Sequence, residues 1–173
     1  MSTPRRDWPE MRIGLGHDIH ALVPERPLIL GGVTIPFDKG LDGHSDADAL
    51  LHAIMDALLG AANLADIGTL FPNTDPAFKN ISSVLLTERV VEKVAQLGYS
   101  VENVDTIIHC ERPKIKPFRD AMQNTIARAL QIRPDQVSIK AGTNEGFDAV
   151  GRGEAVVCQA VVLLLRSPRP VSA

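Results

Sequence analysis

A single α+β domain, with helices packed on one face of a mixed β-sheet, is the fold class the sequence predicts. Three observations predict it. Strand-like and helix-like segments follow one another along the chain in an order that suits a sheet with a helical layer. The 173 residues fit one domain and leave little room for two. The apolar share, 45%, is ordinary for a globular protein, and a chain this long buries a proper core. With one Trp, one Tyr and five Phe, that core must be built mostly from Ala, Val, Ile and Leu.

The elements follow in order. Residues 1–10 (MSTPRRDWPE) are polar and read as a flexible tail; residues 11–166 read as the domain, and 167–173 as a second flexible tail. Met11 to Leu22 reads as a strand. Leu28 to Phe37 (LILGGVTIPF) holds two short aliphatic runs around Gly31-Gly32, a hairpin signal. Asp46 to Ala62 is rich in Ala and Leu and reads as the clearest helix, with Ser45 and Asp48 resembling a capping box. Asn63 to Asn80 has no convincing period and is expected to be an ordered lid, since long loops inside compact domains are commonly functional. Ser82 to Leu97 reads as a helix stopped by Gly98. Val101 to Cys110 reads as a strand, and Lys116 to Gln131 as a helix beginning just before Pro117. Gln136 to Ala141 and Glu154 to Leu165 read as the last strands, the final one an apolar edge in need of cover.

Composition narrows the partners. Eighteen Lys and Arg against 21 Asp and Glu leave a net charge of −3, which makes no case for nucleic acid or for an anionic membrane surface. The longest apolar run is interrupted by Gln159 and is too short to span a bilayer. Cys110 and Cys158 each sit in an apolar run and read as buried free thiols. The first ten residues lack the apolar stretch of a signal peptide, and the expected location is cytoplasmic.

Three segments carry candidate chemistry. In GLGHDIHAL (14–22), strand alternation puts Asp18 and His20 on one face and His17 on the other. A carboxylate and an imidazole side by side form part of a metal site, and His44 or His52 would complete two histidines and one carboxylate. Three protein ligands leave an open position, the pattern of a catalytic metal. Spacing alone does not choose between His44 and His52. The second segment, KAGTNEGFDAVGRGE (140–154), is a Gly-rich turn whose amides suit an anion, with Arg152 as a phosphate fork and Glu145 as a cation ligand. The third, CERPKIKPF (110–118), clusters Arg112, Lys114 and Lys116 at a strand end, stiffened by prolines, and suits a nucleotide or phosphate.

Taken together, GLGHDIHAL, LILGGVTIP, GHSDADALLHAIMDALLGAA, DIGTLFPNTDPAF, ERPKI and GTNEGFDAVGRGEA resemble the 2-C-methyl-D-erythritol 2,4-cyclodiphosphate synthase family of non-mevalonate isoprenoid biosynthesis. The resemblance runs from about Met11 to about Leu165. It implies a homotrimer with its active site between neighbours, and a zinc ion held by Asp18, His20 and His52. It implies that His44 and Ser45 contact phosphate at the helix N-terminus, that His44 and Thr143 stabilise the transition state, and that Glu145 holds a second divalent cation, magnesium or manganese. Cys110, Glu111, Arg112, Pro113, Lys114, Ile115 and Lys116 would surround the cytidine. Asp66, Ile67 and Gly68, with Phe71, Asn73 and Asp75, would close over the methylerythritol part, and Arg152 would meet phosphate. Gly142, Asn144, Asn73 and Ala149 stand where the family commonly has other residues near the substrate.

The reaction so implied is intramolecular. The 2-phosphate of 4-diphosphocytidyl-2-C-methyl-D-erythritol 2-phosphate attacks the β-phosphorus of its own cytidine diphosphate arm, and CMP leaves. Two rival readings are a metal-dependent phosphohydrolase in which water attacks, and a non-enzymatic trimeric binding protein with a structural metal.

Overall fold

The structure is a computed structural model and describes residues 10–166. The two expected tails lie outside the described residues, except that Glu10 opens the first strand. In chain order the elements are β1 (Glu10–Pro24), β2 (Leu28–Leu30), β3 (Val33–Ile35), β4 (Lys39–Leu41), α1 (Ala49–Ala62) and the one-turn α2 (Ile67–Leu70). They continue with α3 (Ser83–Gln96), β5 (Tyr99–His109), α4 (Arg119–Leu130), β6 (Val137–Gly142), the one-turn α5 (Asp148–Gly151) and β7 (Ala155–Arg166).

Five strands form one sheet in the order β4-β1-β7-β5-β6. β5 and β6 are parallel and the other pairs antiparallel, so the sheet is mixed as expected. β2 and β3 form the separate hairpin read around Gly31-Gly32, and both glycines have positive φ, the turn conformation that glycine adopts without strain. β7 is not the edge its apolar run suggested: β1 and β5 flank it. Its even-numbered residues Val156, Cys158, Ala160, Val162 and Leu164 are buried under the helical layer, which accounts for that run.

α1 lies close against β1. A Cβ added at Gly14 would stand 1.8 Å from the carbonyl oxygen of Ala57, and one at Gly16 the same distance from that of Ala53. The strand has glycine where the helix backbone lies on it, and the helix has Ala53, Ala57 and Ala61 on that side. The opposite face of β1 is apolar and open: Ile13 is 74% and Leu15 70% exposed, with Met11, Ile19 and Val161 beside them.

Helix boundaries moved where capping decided them. α1 starts at Ala49, not Asp46, because Asp48 is the N-cap and accepts from the Leu51 N–H at 3.0 Å. The Ser45–Asp48 capping box does not form. Asp48 also accepts from the Gly31 and Gly32 amides, at 2.9 and 2.6 Å, tying the hairpin turn to the helix start. Burial raises its carboxyl to about 6, and the three N–H donors pull against that rise. Residues 116–118 form a 3₁₀ turn before α4 begins. The expected lid contains α2, capped by Asp66 onto Thr69, and a 3₁₀ turn at Pro76–Phe78 capped by Asp75 onto Ala77.

Candidate metal centre

The alternation of β1 turns Asp18 and His20 toward the helical layer, and α1 brings His52 over them. Asp18 Oδ2 lies 2.9 Å from His20 Nε2 and 3.0 Å from His52 Nδ1. The two histidine nitrogens are 3.2 Å apart. A tetrahedral ion with bonds of about 2.0 Å sets its donors about 3.3 Å apart. The three atoms therefore converge at nearly the spacing such an ion needs, and these residues form a group able to hold a metal. His52 is the third member. His44 sits outside the triad, with Nε2 3.2 Å from the Asp75 carbonyl.

Electrostatics hold Asp18 ionised, the form that serves as a ligand. Burial opposes a charge on Asp18, yet hydrogen bonds from His20 and His52 outweigh it and hold the carboxyl well below the usual range. His20 Nδ1 meets the Asp42 carbonyl, an acceptor, which assigns a proton to Nδ1 and makes Nε2, beside Asp18, the nitrogen that would serve a metal. Burial lowers the His20 pKa, but Asp18 overrides it and the net shift is upward.

The triad opens into a hollow of about 410 Å³, lined also by His44, Ser45, Ile67, Gly68, Phe71 and Asn73. Loop and hollow are cross-tied. The Asn80 N–H donates to the His44 carbonyl at 2.8 Å, the Ile67 N–H donates to Asp56 at 2.8 Å, and Phe71 packs edge-on against Phe78. Arg26 holds the incoming loop by donating to the carbonyls of Gly43 and Ser45, at 2.9 and 3.0 Å. His44 and Ser45 precede α1 by several residues, and Asp48 takes its cap, so they belong to this loop and not to the helix terminus. The Ser45 hydroxyl faces inward, 3.2 Å from His52 Nε2.

A second hollow, about 320 Å³, is lined by Cys110, Glu111, Pro113, Lys114, Ile115, Lys116, Gly142 and Thr143. Arg119 and Ile139 line it too and were not singled out by the sequence. The two hollows share no lining residue. Arg112 and Arg152 border a third hollow beside Lys39, and Arg152 is paired with Glu154 at 2.9 Å. Asn144 and Ala149 border a fourth. Asn144 acts as a clamp: its N–H donates to Glu111 at 3.2 Å and its side chain to Asp148 at 2.8 Å. Glu145 is exposed and accepts from the Thr143 hydroxyl at 2.7 Å. Cys110 and Cys158 are free and buried, and burial raises the Cys110 thiol to about 11.

Sequence reasoning missed Asp42, Asp46, Asp56 and Ser83. Asp46 and Asp56 lie within GHSDADALLHAIMDALLGAA, but each of the four acts through another residue or a backbone amide, so the sequence assigned them no role. The double serine Ser82-Ser83 before an apolar helix was the one visible signal, and it reads as ordinary capping.

Fold and site define an α+β protein with a two-histidine, one-carboxylate metal-binding group at the mouth of a cavity. A family model described as the YgbB family matches residues 11–165. The chain belongs to that family, as its resemblance to the cyclodiphosphate synthases anticipated. The 2-C-methyl-D-erythritol 2,4-cyclodiphosphate synthase of Synechococcus sp. (strain JA-2-3B'a(2-13)) is 57% identical over 155 residues, covering 90% of this chain and 99% of that protein. The solved IspF of Plasmodium falciparum, a CDP complex, matches with a TM-score of 0.81 at 34% identity, over 91% of this chain and 97% of that one. The bifunctional IspDF of Campylobacter jejuni matches with a TM-score of 0.89 at 40% identity; the match covers 92% of this chain and 43% of that longer one.

Proposed function

We propose that this chain is the enzyme that converts 4-diphosphocytidyl-2-C-methyl-D-erythritol 2-phosphate to 2-C-methyl-D-erythritol 2,4-cyclodiphosphate, releasing CMP, in isoprenoid precursor biosynthesis. The observation that carries it is the convergence of Asp18, His20 and His52 beside His44, in a chain 57% identical to a synthase of that name.

The chemistry asks for positioning and charge control. An oxygen of the 2-phosphate forms a bond to the β-phosphorus, the bridge to the α-phosphorus breaks, and its electron pair leaves on the CMP phosphate. The nucleophile is already an anion, so no strong general base is needed. Zinc at Asp18, His20 and His52, with magnesium or manganese at Glu145, would supply positive charge that offsets repulsion between the phosphates. His44, with Thr143, would donate to the phosphoryl oxygens as charge shifts. Ile67, Gly68, Phe71 and Asn73 would fold the methylerythritol part back on itself, and the Cys110–Lys116 segment would hold the cytidine.

The working form is a homotrimer. Two observations support it. The two hollows share no lining residue on one chain, and a substrate reaching from metal to cytidine site would bridge neighbours. The outer face of β1 and β7 is apolar and exposed, and such a face is covered in an assembly. No helix among the described residues is long and apolar enough to cross a membrane, which is compatible with the cytoplasmic location expected.

Phosphorus NMR of the purified protein with substrate, zinc and magnesium tests the reaction. The expected result is a pair of coupled cyclic diphosphate signals rising with CMP. CMP with an acyclic product would mean that water attacks and would replace this reading with the phosphohydrolase.

A further inference from the structure

The imidazole of His52 has a hydrogen-bond partner on each side. Nδ1 faces Asp18 and His20. Nε2 lies 3.0 Å from the Ser83 hydroxyl oxygen and 3.2 Å from that of Ser45. A neutral imidazole carries one proton, so one nitrogen donates and the other offers a lone pair. Only a lone pair on Nδ1 serves a metal held with Asp18 and His20.

We propose that Ser83 and Asp46 form a positioning pair that holds the Nε2–H of His52 in the metal-bound form, when Nδ1 serves the metal and no longer donates to Asp18. This rests on the reading of Asp18, His20 and His52 as metal ligands. The Ser83 hydroxyl donates to Asp46 Oδ1 at 2.5 Å, a length typical of a bond to a charged acceptor. Its hydrogen is therefore committed to the carboxylate, and Ser83 presents a lone pair to His52. The Ser83 N–H donates to Asp46 Oδ2 at 2.9 Å, closing a two-point grip that fixes the serine. Ser83 is fully buried, so no bulk water competes for these groups. Asp46 is itself held by its N–H to the Ile81 carbonyl at 3.1 Å.

Ser45 does not reverse the assignment. Were its hydroxyl to donate to Nε2, that nitrogen would turn its lone pair on the lone pair of Ser83, at the shorter of the two distances. The two histidines thus reach the metal through opposite nitrogens. The Asp42 carbonyl sets His20, and the Ser83–Asp46 pair sets His52 across 31 residues of chain. An outer partner of this kind orients a ligand and raises its basicity, and losing one weakens metal affinity by about 10–100-fold.

The test uses the whole chain with ¹⁵N-labelled histidine in the zinc-bound form, where Nδ1 has no proton to give Asp18, and zinc affinity by chelator competition. The wild type is expected to show an Nε2–H of His52 that is hydrogen-bonded and slow to exchange. Ser83→Ala and Asp46→Asn are expected to speed exchange of that Nε2–H and to weaken zinc by about 10–100-fold. Ser82→Ala removes the neighbouring helix-cap hydroxyl and is expected to leave exchange and affinity alone. Wild-type exchange and affinity retained in both variants, or an equal loss in Ser82→Ala, overturns the pair alone. A wild type that binds no zinc overturns the metal reading, and the role of the pair with it.

Discussion

Asp18 on β1 and His52 on α1 lie 34 residues apart in sequence and 3.0 Å apart in space, Oδ2 to Nδ1. That contact joins the first strand of the sheet to the first helix of the covering layer. It also makes the centre dependent on each donor, because three ligands leave no spare. Replacing Asp18, His20 or His52 with Ala is expected to abolish stoichiometric zinc binding. Metal analysis after dialysis against limiting zinc checks this; full occupancy in His52→Ala would remove that residue from the centre.

Glu145 stands outside the triad, exposed, with Thr143 on its carboxylate. Glu145→Gln is expected to leave zinc content unchanged while weakening the response of turnover to added magnesium or manganese. The check is a metal titration of rate beside a zinc assay, and an unchanged titration would end its role as a second-cation ligand.

The outer face of β1 offers a test of assembly. Leu15 is 70% exposed in the single chain, so an arginine there costs the fold little. Leu15→Arg is expected to sediment as a monomer with its secondary structure retained, whereas the wild type sediments at three chain masses. A wild-type monomer at working concentration would rule out the trimer.

Asp48 predicts a pH dependence. Its carboxyl is raised from 3.8 to about 6 by burial, so the folded chain keeps a proton that the unfolded chain has released. The stability this group contributes is complete below about pH 4 and is lost as pH rises through about 6. The melting temperature of the wild type minus that of Asp48→Asn should therefore fall across that window. A flat difference would return the carboxyl to its ordinary value.

Much of this was readable from sequence, and the reasons differ by residue. The alternation of β1 placed Asp18 and His20 on one face because strand geometry is fixed by the backbone. The choice of His52 over His44 depended on how α1 lies across β1, which no local spacing encodes; the family resemblance supplied it. The start of α1 was missed because Asp48 serves as its cap while also holding the hairpin turn, a tertiary bond. Ser83 and Asp46 were invisible for the same reason, since their partners lie 31 and 37 residues away. The final strand was misread as an edge because a buried central strand and an uncovered edge both appear as an apolar run.

Gly14 and Gly16 leave no room for a β-carbon under α1, and Gly16→Ala is expected to destabilise the fold by about 3 kcal/mol or more, measured by denaturant unfolding.

That same approach has a wider consequence. Where α1 crosses β1, main chain rests on main chain, and peptide dimensions are the same for every residue type. The approach of α1 to β1 at Gly14 and Gly16 is thus set by main chain and not by the fit of interchangeable side chains. Volume changes elsewhere in the interior would bear on how long the fold survives heating more than on how α1 sits over β1. Durability and the seating of the helix that carries His52 are then separately adjustable properties of one chain.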